Sequence, residues 1–429
     1  MQADRTPSTA QVGTHALARE EQSPMFAGLR VLHVIPQLGP GGAERALCTI
    51  MREQTRCGLV PLMCVLGSEN AFPHRLQGLE PPEFLHYKGS RRDITGYFRC
   101  IRRLRQIIHI FRPAIVHSHL WPAARLVARA RRFEDCCHVV HVQDTRGWLA
   151  GGGWRDRVTR LATQFALQRD SPQYIAVSRA TRDYTTRYFP WITHNIPVVY
   201  NGLDEREFED AAFPLQAAKN RSMNSDELVF GTAGRFSTEK GHVQLFEALA
   251  QLVSKGVKVR LRIAGDGPLR PQYDEALGRL GLTGRVEFCG RVATMAAFYR
   301  SLDVFVLPSF GMEGFPLSIV EAMNCGLPIV ATDVPGAKEA VRHEQEGFIV
   351  PPGDPAALAS ALSRIAGDAN RRHRMGANAR ERVREEFTGR KMSDECLEVY
   401  RCVLERKRNH GIVVPRRGES NRAQPASCC

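Results

Sequence analysis

LVFGTAGRFSTEKGHVQLFEALAQLVSKGVKVRLRIAG, residues 228–265, is the stretch that decides the fold. An apolar run over 228–235 ends in a glycine-bearing turn, a helical pattern fills 240–255, and a second apolar run occupies 259–265. Runs without polar alternation suit strands buried on both faces, and a helix between two of them is the repeating unit of a parallel sheet. The rhythm continues with RVEFCG (285–290), VFVLP (304–308), PIVAT (328–332) and GFIVP (347–351). Helical segments at 270–280, 293–301, 317–325 and 336–343 separate these runs, and patterns at 355–366, 369–386 and 391–408 complete the block.

Upstream the same alternation appears once already. VLHVIP (31–36) precedes a helical stretch from Ala43, and AIVHSH (114–119) precedes another from Pro122 to Arg132. HVVHVQ (138–143), YIAVS (174–178) and VVYNG (198–202) read as further strands. A polar stretch from Leu203 to Glu227 lacks a repeat pattern and separates the two blocks. The expected organisation is a disordered leader 1–28, a Rossmann-like domain 29–205, a linker 206–227, a second Rossmann-like domain 228–390, a helix 391–408 and a basic tail 409–429. This is an α/β protein of two doubly wound sheets facing a cleft, with ligands expected outside the carboxyl ends of the strands.

Composition narrows the class. Hydrophobic residues at 43% and charged residues at 24% are an ordinary globular mix, which excludes a collagen-like or wholly disordered chain. No apolar window is long enough for a membrane-spanning helix, and the polar opening lacks a signal core, so a cytoplasmic location is expected. The twelve cysteines are scattered without a CxxC, which fits reduced thiols better than a disulfide framework or a zinc site. The terminal pair Cys428-Cys429 reads as part of a plain tail rather than a lipidation site.

The net charge of +14 is uneven. Residues 1–200 hold 27 Lys/Arg against 15 Asp/Glu, residues 201–405 hold 26 against 29, and 406–429 hold six against one. Lys88 to Arg132 contains twelve basic residues and one acidic residue, Asp93. So local an excess points to an anionic partner, although arginines that simply solvate helix faces read the same way.

Three turns carry candidate chemistry. Gly39-Pro40-Gly41-Gly42-Ala43-Glu44 lies between a strand and a helix, where Gly41 and Gly42 permit close backbone approach and the helix start offers N–H groups to a phosphate. A plain glycine turn has the same pattern; no P-loop or GxGxxG accompanies it. Gly234-Arg235-Phe236-Ser237-Thr238-Glu239-Lys240-Gly241 offers two cations to a pyrophosphate, or else two surface ion pairs. In Pro308 to Met323, Glu313 and Glu321 flank a glycine turn, Pro316 suits the first helical position, and a carboxylate there can accept paired sugar hydroxyls. Glu321 is also compatible with an ordinary first-turn glutamate.

Together these segments resemble the retaining GT-B glycosyltransferases of family 4. The resemblance runs from Arg30 to Lys407 through GGAER (41–45), SRATRDY (178–184), VVYNGLD (198–204), GRFSTEKG (234–241) and IAGDGPLR (263–270). It is densest in EGFPLSIVEAMNCGLPIVATDVPGAKEAV (313–341), which holds an E-x₇-E pattern. The resemblance implies transfer of a sugar from a nucleoside-diphosphate sugar to a hydroxyl of a glycan or lipid-linked acceptor, with retention and without an obligatory metal. Gly41 and Gly42 would meet the donor phosphates, Arg235 and Lys240 would stabilise the leaving diphosphate, and Glu313 would contact the transferred sugar. Glu321 would hold the ribose, the backbone of Phe315, Pro316 and Leu317 would reach sugar or phosphate, and the base would rest near Arg291 and Val292. No metal ligand is implied, and no DxD pair sits where a metal-dependent site would need one.

One departure concerns the acceptor side. Many relatives place a histidine after the fourth strand of this domain, where the present chain has Asp144; His141 lies three residues earlier, on the opposite strand face. An ionised Asp144 accepts a hydroxyl hydrogen bond but donates none, and a turn-capping role fits it equally. The basic segment Gly96 to Phe111 places Tyr97, Ile101, Leu104, Ile108 and Phe111 on one helix face and leaves Arg99, Arg102, Arg103 and Arg105 to the rest. Packed on its own sheet, such a helix turns its arginines outward, where anionic lipid could meet residues 88–132 from the inner face of a membrane. A nucleotide-sugar epimerase of the same fold is the competing enzyme. Nucleic-acid binding lacks the stacking aromatics or motifs it would need.

Overall fold

The computed structural model describes residues 26–39, 41–68, 76–87, 93–132, 134–144, 153–192, 195–209, 227–311 and 313–409. Strands β1 (Arg30–Ile35), β2 (Val60–Val65), β3 (Glu83–Phe84), β4 (Ile115–His119), β5 (Cys137–Val142) and β6 (Gln173–Ala176) form one sheet in the order β3-β2-β1-β4-β5-β6. Strands β7 (Leu228–Ala233), β8 (Val259–Ala264), β9 (Val286–Gly290), β10 (Val304–Leu307), β11 (Ile329–Thr332) and β12 (Gly347–Val350) form the other, in the order β12-β11-β10-β7-β8-β9. All pairings within the sheets are parallel. This is the expected pair of doubly wound Rossmann-like sheets. Strand order reverses between β1 and β4 in the N-lobe and between β7 and β10 in the C-lobe. A crevice opens at such a switch point, outside the carboxyl ends of the strands.

Several elements depart from the sequence reading. VVYNG (198–202) is not a strand: it touches β6 through a single bridge between Ala176 and Val198. Pro197, which has no N–H to donate, accepts from Ala176 N at 3.0 Å, and the chain then leaves the sheet. β2 is absent from the sequence reading, and Pro61 near its start is unusual inside a strand. The register resolves this, since β3 pairs only with Cys64 and Val65 and leaves β2 an edge at Pro61. The leader was expected to run to residue 28, but Phe26 is already buried in the core and its carbonyl accepts from Leu29 N at 3.0 Å. Residues 1–25, most of the linker (210–226) and the tail from 410, with Cys428 and Cys429, lie outside the described residues.

The last helix, Gly389–Asn409, does not stay with the C-lobe. It crosses to pack on the helix Gly42–Arg56, and its Tyr400 is fully buried beneath the N-lobe sheet. The ten described cysteines are free thiols. Among the described residues no helix is long and apolar enough to cross a membrane.

Candidate active site

The three turns singled out in the sequence all follow strands that flank the switch points. β1 leads through Pro36 to Gly39 into the helix Gly42–Arg56, whose N-cap is Gly41. A Cβ on Gly41 would run into the Glu44 carboxylate, and one on Gly42 would lie 3.7 Å from Leu317 Cδ1 of the opposite lobe. Glu44 is buried in the first turn, where the helix dipole favours an anion. Thus the Gly41-Gly42 backbone faces the start of the C-lobe helix Leu317–Asn324.

In the C-lobe, β7 runs through Gly234 and Arg235 into a short 3₁₀ turn, Thr238–Lys240, and then the helix His242–Ser254. Gly241 between them has φ 69° and lies against the Pro308 carbonyl, a position that excludes a side chain on both counts. The neighbouring turn after β10 is locked to it: Phe310 N and Gly311 N donate to the Glu239 carbonyl at 3.0 and 3.1 Å. This docking brings together residues 73 positions apart, and Lys240 Nζ donates to Glu313 Oε1 at 2.7 Å. Ser309 Oγ donates to the same oxygen at 2.7 Å. The lysine is 28% exposed and the glutamate 14%, so the pair is sheltered yet open to a ligand.

Glu321 is placed differently. Its side chain is 2% exposed; one oxygen meets the Arg45 guanidinium of the N-lobe and the other accepts from the Tyr299 hydroxyl at 2.7 Å. Burial, reinforced by the Glu321 charge, pushes the Tyr299 phenol far up, so it stays a donor. Arg45 resists the burial that would discharge it because Glu321 faces it. The carboxylate expected to hold ribose is therefore engaged across the cleft by the last residue of GGAER. Arg235 stands outside the Lys240–Glu313 pair: its side chain is 73% exposed and reaches Glu239 at 3.5 Å.

The remaining expected residues differ in exposure. Arg291 is exposed and Val292 half-buried, just after Gly290 at φ 63°. Phe315, Pro316 and Leu317 are buried at the helix start. Pro316 is the N-cap, not the first helical residue, and having no N–H it leaves Phe315 and Leu317 as the backbone donors of that stretch. Asp144 is half-buried beyond β5, beside Gln143, whose carbonyl lies against Gly314. His141 is fully buried, with its ring 5.3 Å from that of His117 and 5.5 Å from that of His119.

Sequence reasoning left several residues of the cleft unassigned. Arg45, Tyr299 and Ser309 are three. Glu339 is a fourth: its carboxylate accepts from Arg179 N and Ala180 N, each at 2.8 Å, and from the Tyr200 hydroxyl at 3.0 Å. A C-lobe carboxylate thus caps the N-lobe helix Arg179–Tyr188 alongside its own N-cap, Ser178. The advance signal for Arg45, Ser309 and Glu339 was their presence inside the quoted segments; Tyr299 had none beyond its place in the helical stretch 293–301.

On the basic face, the helix Ile94–Phe111 buries Cys100, Ile101, Leu104, Ile107 and Ile108, and exposes Arg99, Arg102 and Arg103. Arg105 is not an outward arginine. It is half-buried and donates to the Ala130 and Arg129 carbonyls at 3.1 and 3.4 Å, completing the C-terminus of the helix Leu120–Ala130. An apolar stripe appears nearby on the helix Trp154–Asp170, where Trp154, Val158, Leu161 and Phe165 are all exposed. Their spacing places them on one face.

Comparison with known proteins bears on this geometry. A model of glycosyltransferase family 4 matches residues 40–207, and a model of group 1 glycosyl transferases matches residues 216–382. An uncharacterized glycosyltransferase of Methanocaldococcus jannaschii is 27% identical over 297 residues, 68% of this chain and 76% of that protein. A D-inositol 3-phosphate glycosyltransferase of Streptomyces bingchenggensis is 28% identical over 302 residues, 67% of this chain and 66% of that one. The structure of Anabaena HepE in complex with UDP superposes with a TM-score of 0.73 at 23% identity, covering 87% of this chain and all of HepE, and so supports the GT-B fold. Between them the two family models span both lobes and all three turns, and the chain belongs to the group 1, family 4 glycosyltransferases, enzymes that transfer a sugar from a nucleotide-sugar donor.

Proposed function

We propose that this protein transfers its sugar with retention of anomeric configuration and without a catalytic metal, onto a hydroxyl of a glycan or lipid-linked acceptor. The observation that carries this reading is the Lys240–Glu313 pair at the C-lobe switch point, opposite the Gly41-Gly42 backbone. A diphosphate between these groups would meet the Lys240 ammonium, the N–H groups of Phe315 and Leu317, and the start of the helix Gly42–Arg56. Arg235, exposed and held at 3.5 Å by Glu239, is free to turn its fork onto a phosphate. These positive groups supply the leaving-group stabilisation that a divalent cation supplies elsewhere.

Glu313 would orient the transferred sugar. Glu321 would exchange Arg45 for the ribose hydroxyls, which releases the Arg45 guanidinium towards the diphosphate. The base would stack near Arg291 and Val292. As the glycosidic bond breaks, the departing phosphate oxygen takes the acceptor proton on the same face of the sugar, and Asp144 accepts a hydrogen bond from an acceptor hydroxyl. UDP and UDP-glucose are the first ligands to assay, because structures of Anabaena HepE contain them.

A lipid-linked acceptor fits the N-lobe surface. The exposed Trp154, Val158, Leu161 and Phe165 stripe and the exposed Arg99, Arg102 and Arg103 offer apolar and cationic contacts to an anionic membrane on its cytoplasmic side. Polysaccharide or glycolipid synthesis is the corresponding role.

The experiment is acceptor-dependent turnover of a panel of nucleotide sugars in excess chelator, with the product anomer read by NMR. Transfer with an unchanged anomeric configuration and an undiminished rate in chelator is expected. An inverted product, or a rate that chelator abolishes while circular dichroism and Tm stay unchanged, contradicts the mechanism, and turnover without acceptor would indicate an epimerase.

A further inference from the structure

A second cluster lies under the N-lobe strands, and the transfer chemistry does not use it. His33 on β1 pairs in register with His117 on β4, and His119 on β4 pairs with His141 on β5. Alternation puts these four imidazoles on one face of the sheet, and all four are fully buried. One ring nitrogen from each of His33, His117 and His119 lies within 4.8 Å of the other two. His33 Nδ1 and His119 Nε2 are 3.1 Å apart.

The opposite nitrogen of each ring is held from outside. His33 Nε2 lies 2.8 Å from Gln54 Oε1, His117 Nδ1 lies 2.6 Å from the Tyr400 hydroxyl, and His119 Nδ1 lies 2.9 Å from the Gln143 side-chain amide. Because Gln54 Oε1 accepts, His33 must carry its proton on Nε2 and turn an unprotonated Nδ1 towards the cluster. On the inner side His117 Nε2 is buried without a hydrogen-bond partner, as are both ring nitrogens of His141. Buried polar atoms are seldom left unpaired, because each loses its hydration without a replacement partner.

We propose that His33, His117 and His119 bind a divalent first-row transition-metal ion of the zinc class, with His141 beside them as the fourth imidazole. Imidazole nitrogens suit such ions, and a Zn–N bond of about 2.0–2.1 Å sets tetrahedral ligand nitrogens roughly 3.4 Å apart. The His33–His119 separation of 3.1 Å is near that span, and His117, within 4.8 Å of both, closes on them to join it. Gln54 Oε1 fixes His33 with a lone pair inwards, the arrangement that metal-ligating histidines use. The Gln143 amide nitrogen donates to His119 Nδ1; turning that amide over to present Oε1, which has no hydrogen-bond partner, gives His119 the same tautomer with Nε2 free for the ion. The ion would tie β1 to β4 and, through Gln54 and Tyr400, to the helices Gly42–Arg56 and Gly389–Asn409. Through Gln143 it would also steady the segment that carries Asp144. Its role is structural, and it is independent of the donor chemistry at Lys240 and Glu313.

The test uses the full-length protein without an affinity tag, stripped with chelator, reloaded with Zn²⁺ or Co²⁺ and desalted. One retained ion per chain is expected, with the d–d absorption of tetrahedral Co²⁺ and a rise in Tm on reloading. X-ray absorption of the zinc form should give a first shell of imidazole nitrogens. The double variant His33→Gln, His119→Gln should lose the ion while keeping its circular dichroism. No stoichiometric ion with an unchanged Tm, or a first shell of sulfur or carboxylate oxygen, overturns the proposal. The absorption measurement on the unaltered chain keeps it open to refutation even if the variant does not fold.

Discussion

The two lobes share one topology and differ in what they place at the ends of their strands. Both sheets have six parallel strands with a reversal at the centre. In the C-lobe the strand ends β7 and β10 carry a sheltered charged pair, Lys240 and Glu313, above an apolar interior. In the N-lobe, β1, β4 and β5 carry imidazoles through the sheet interior, and a basic surface and an apolar stripe lie outside it. Topology fixes where a ligand can sit, and the side chains decide what each lobe offers it. The cleft is where the two chemistries meet, through Arg45 on Glu321 and Glu339 on the Arg179–Tyr188 helix.

The sharpest way to break this contrast is to remove the C-lobe cation. Lys240→Ala should lower kcat by about 10²–10³-fold, the scale for losing one stabiliser of developing charge, while leaving the fold intact. Near wild-type turnover would remove Lys240 from the mechanism. Asp144→Asn in the N-lobe should act instead mainly on the acceptor KM, since the proposed mechanism sets Asp144 against the acceptor hydroxyl and not against the donor.

Acid should separate the lobes next. Burial lowers the pKa of His33 from 6.5 to about 4 and that of His141 to about 3, and holds those of His117 and His119 well below 6.5. The folded N-lobe keeps these rings neutral while the unfolded chain takes up protons. Stability is therefore full above pH 6.5 and falls as the pH drops towards 4, because the unfolded chain takes up protons that the buried rings refuse. The C-lobe has one comparable group among the described residues, His242, lowered by burial to about 4. All four tryptophans, at 121, 148, 154 and 191, belong to the N-terminal half, so their fluorescence reports that lobe. Its acid transition should come at higher pH than loss of hydrogen-exchange protection in β7 to β12; coincident transitions would contradict the asymmetry.

The smallest expected effect concerns the surface. Arg102→Glu with Arg103→Glu should weaken salt-sensitive cosedimentation with anionic vesicles and leave Tm unchanged. Arg105→Ala should instead lower Tm, because Arg105 caps a neighbouring helix. Vesicle binding unaffected by the double reversal would remove these two arginines from the membrane contact.

Much of this contrast was legible in the residues. Local period marks the buried strands, and the turns after β1, β7 and β10 carry glycine and charge because a ligand-facing strand-to-helix turn needs both. What local pattern does not encode is pairing at long range. Arg45 and Glu321 are 276 positions apart, and no spacing rule joins them. The histidines of β1, β4 and β5 look like isolated core polar residues until the register sets them side by side. That Pro61 is tolerated in β2 depends on where β3 stops, which local pattern does not give. The final helix was legible as a helix, but its crossing to the N-lobe depends on Tyr400 finding Gln54 and His117.

The central claim is that a nucleotide sugar lies between the two switch points. Hydrogen exchange with and without the donor nucleotide tests it most directly. Added protection should appear together in residues 36–46 of the N-lobe and in 234–241 and 309–321 of the C-lobe. Protection in one lobe alone, or away from all three turns, would contradict the account.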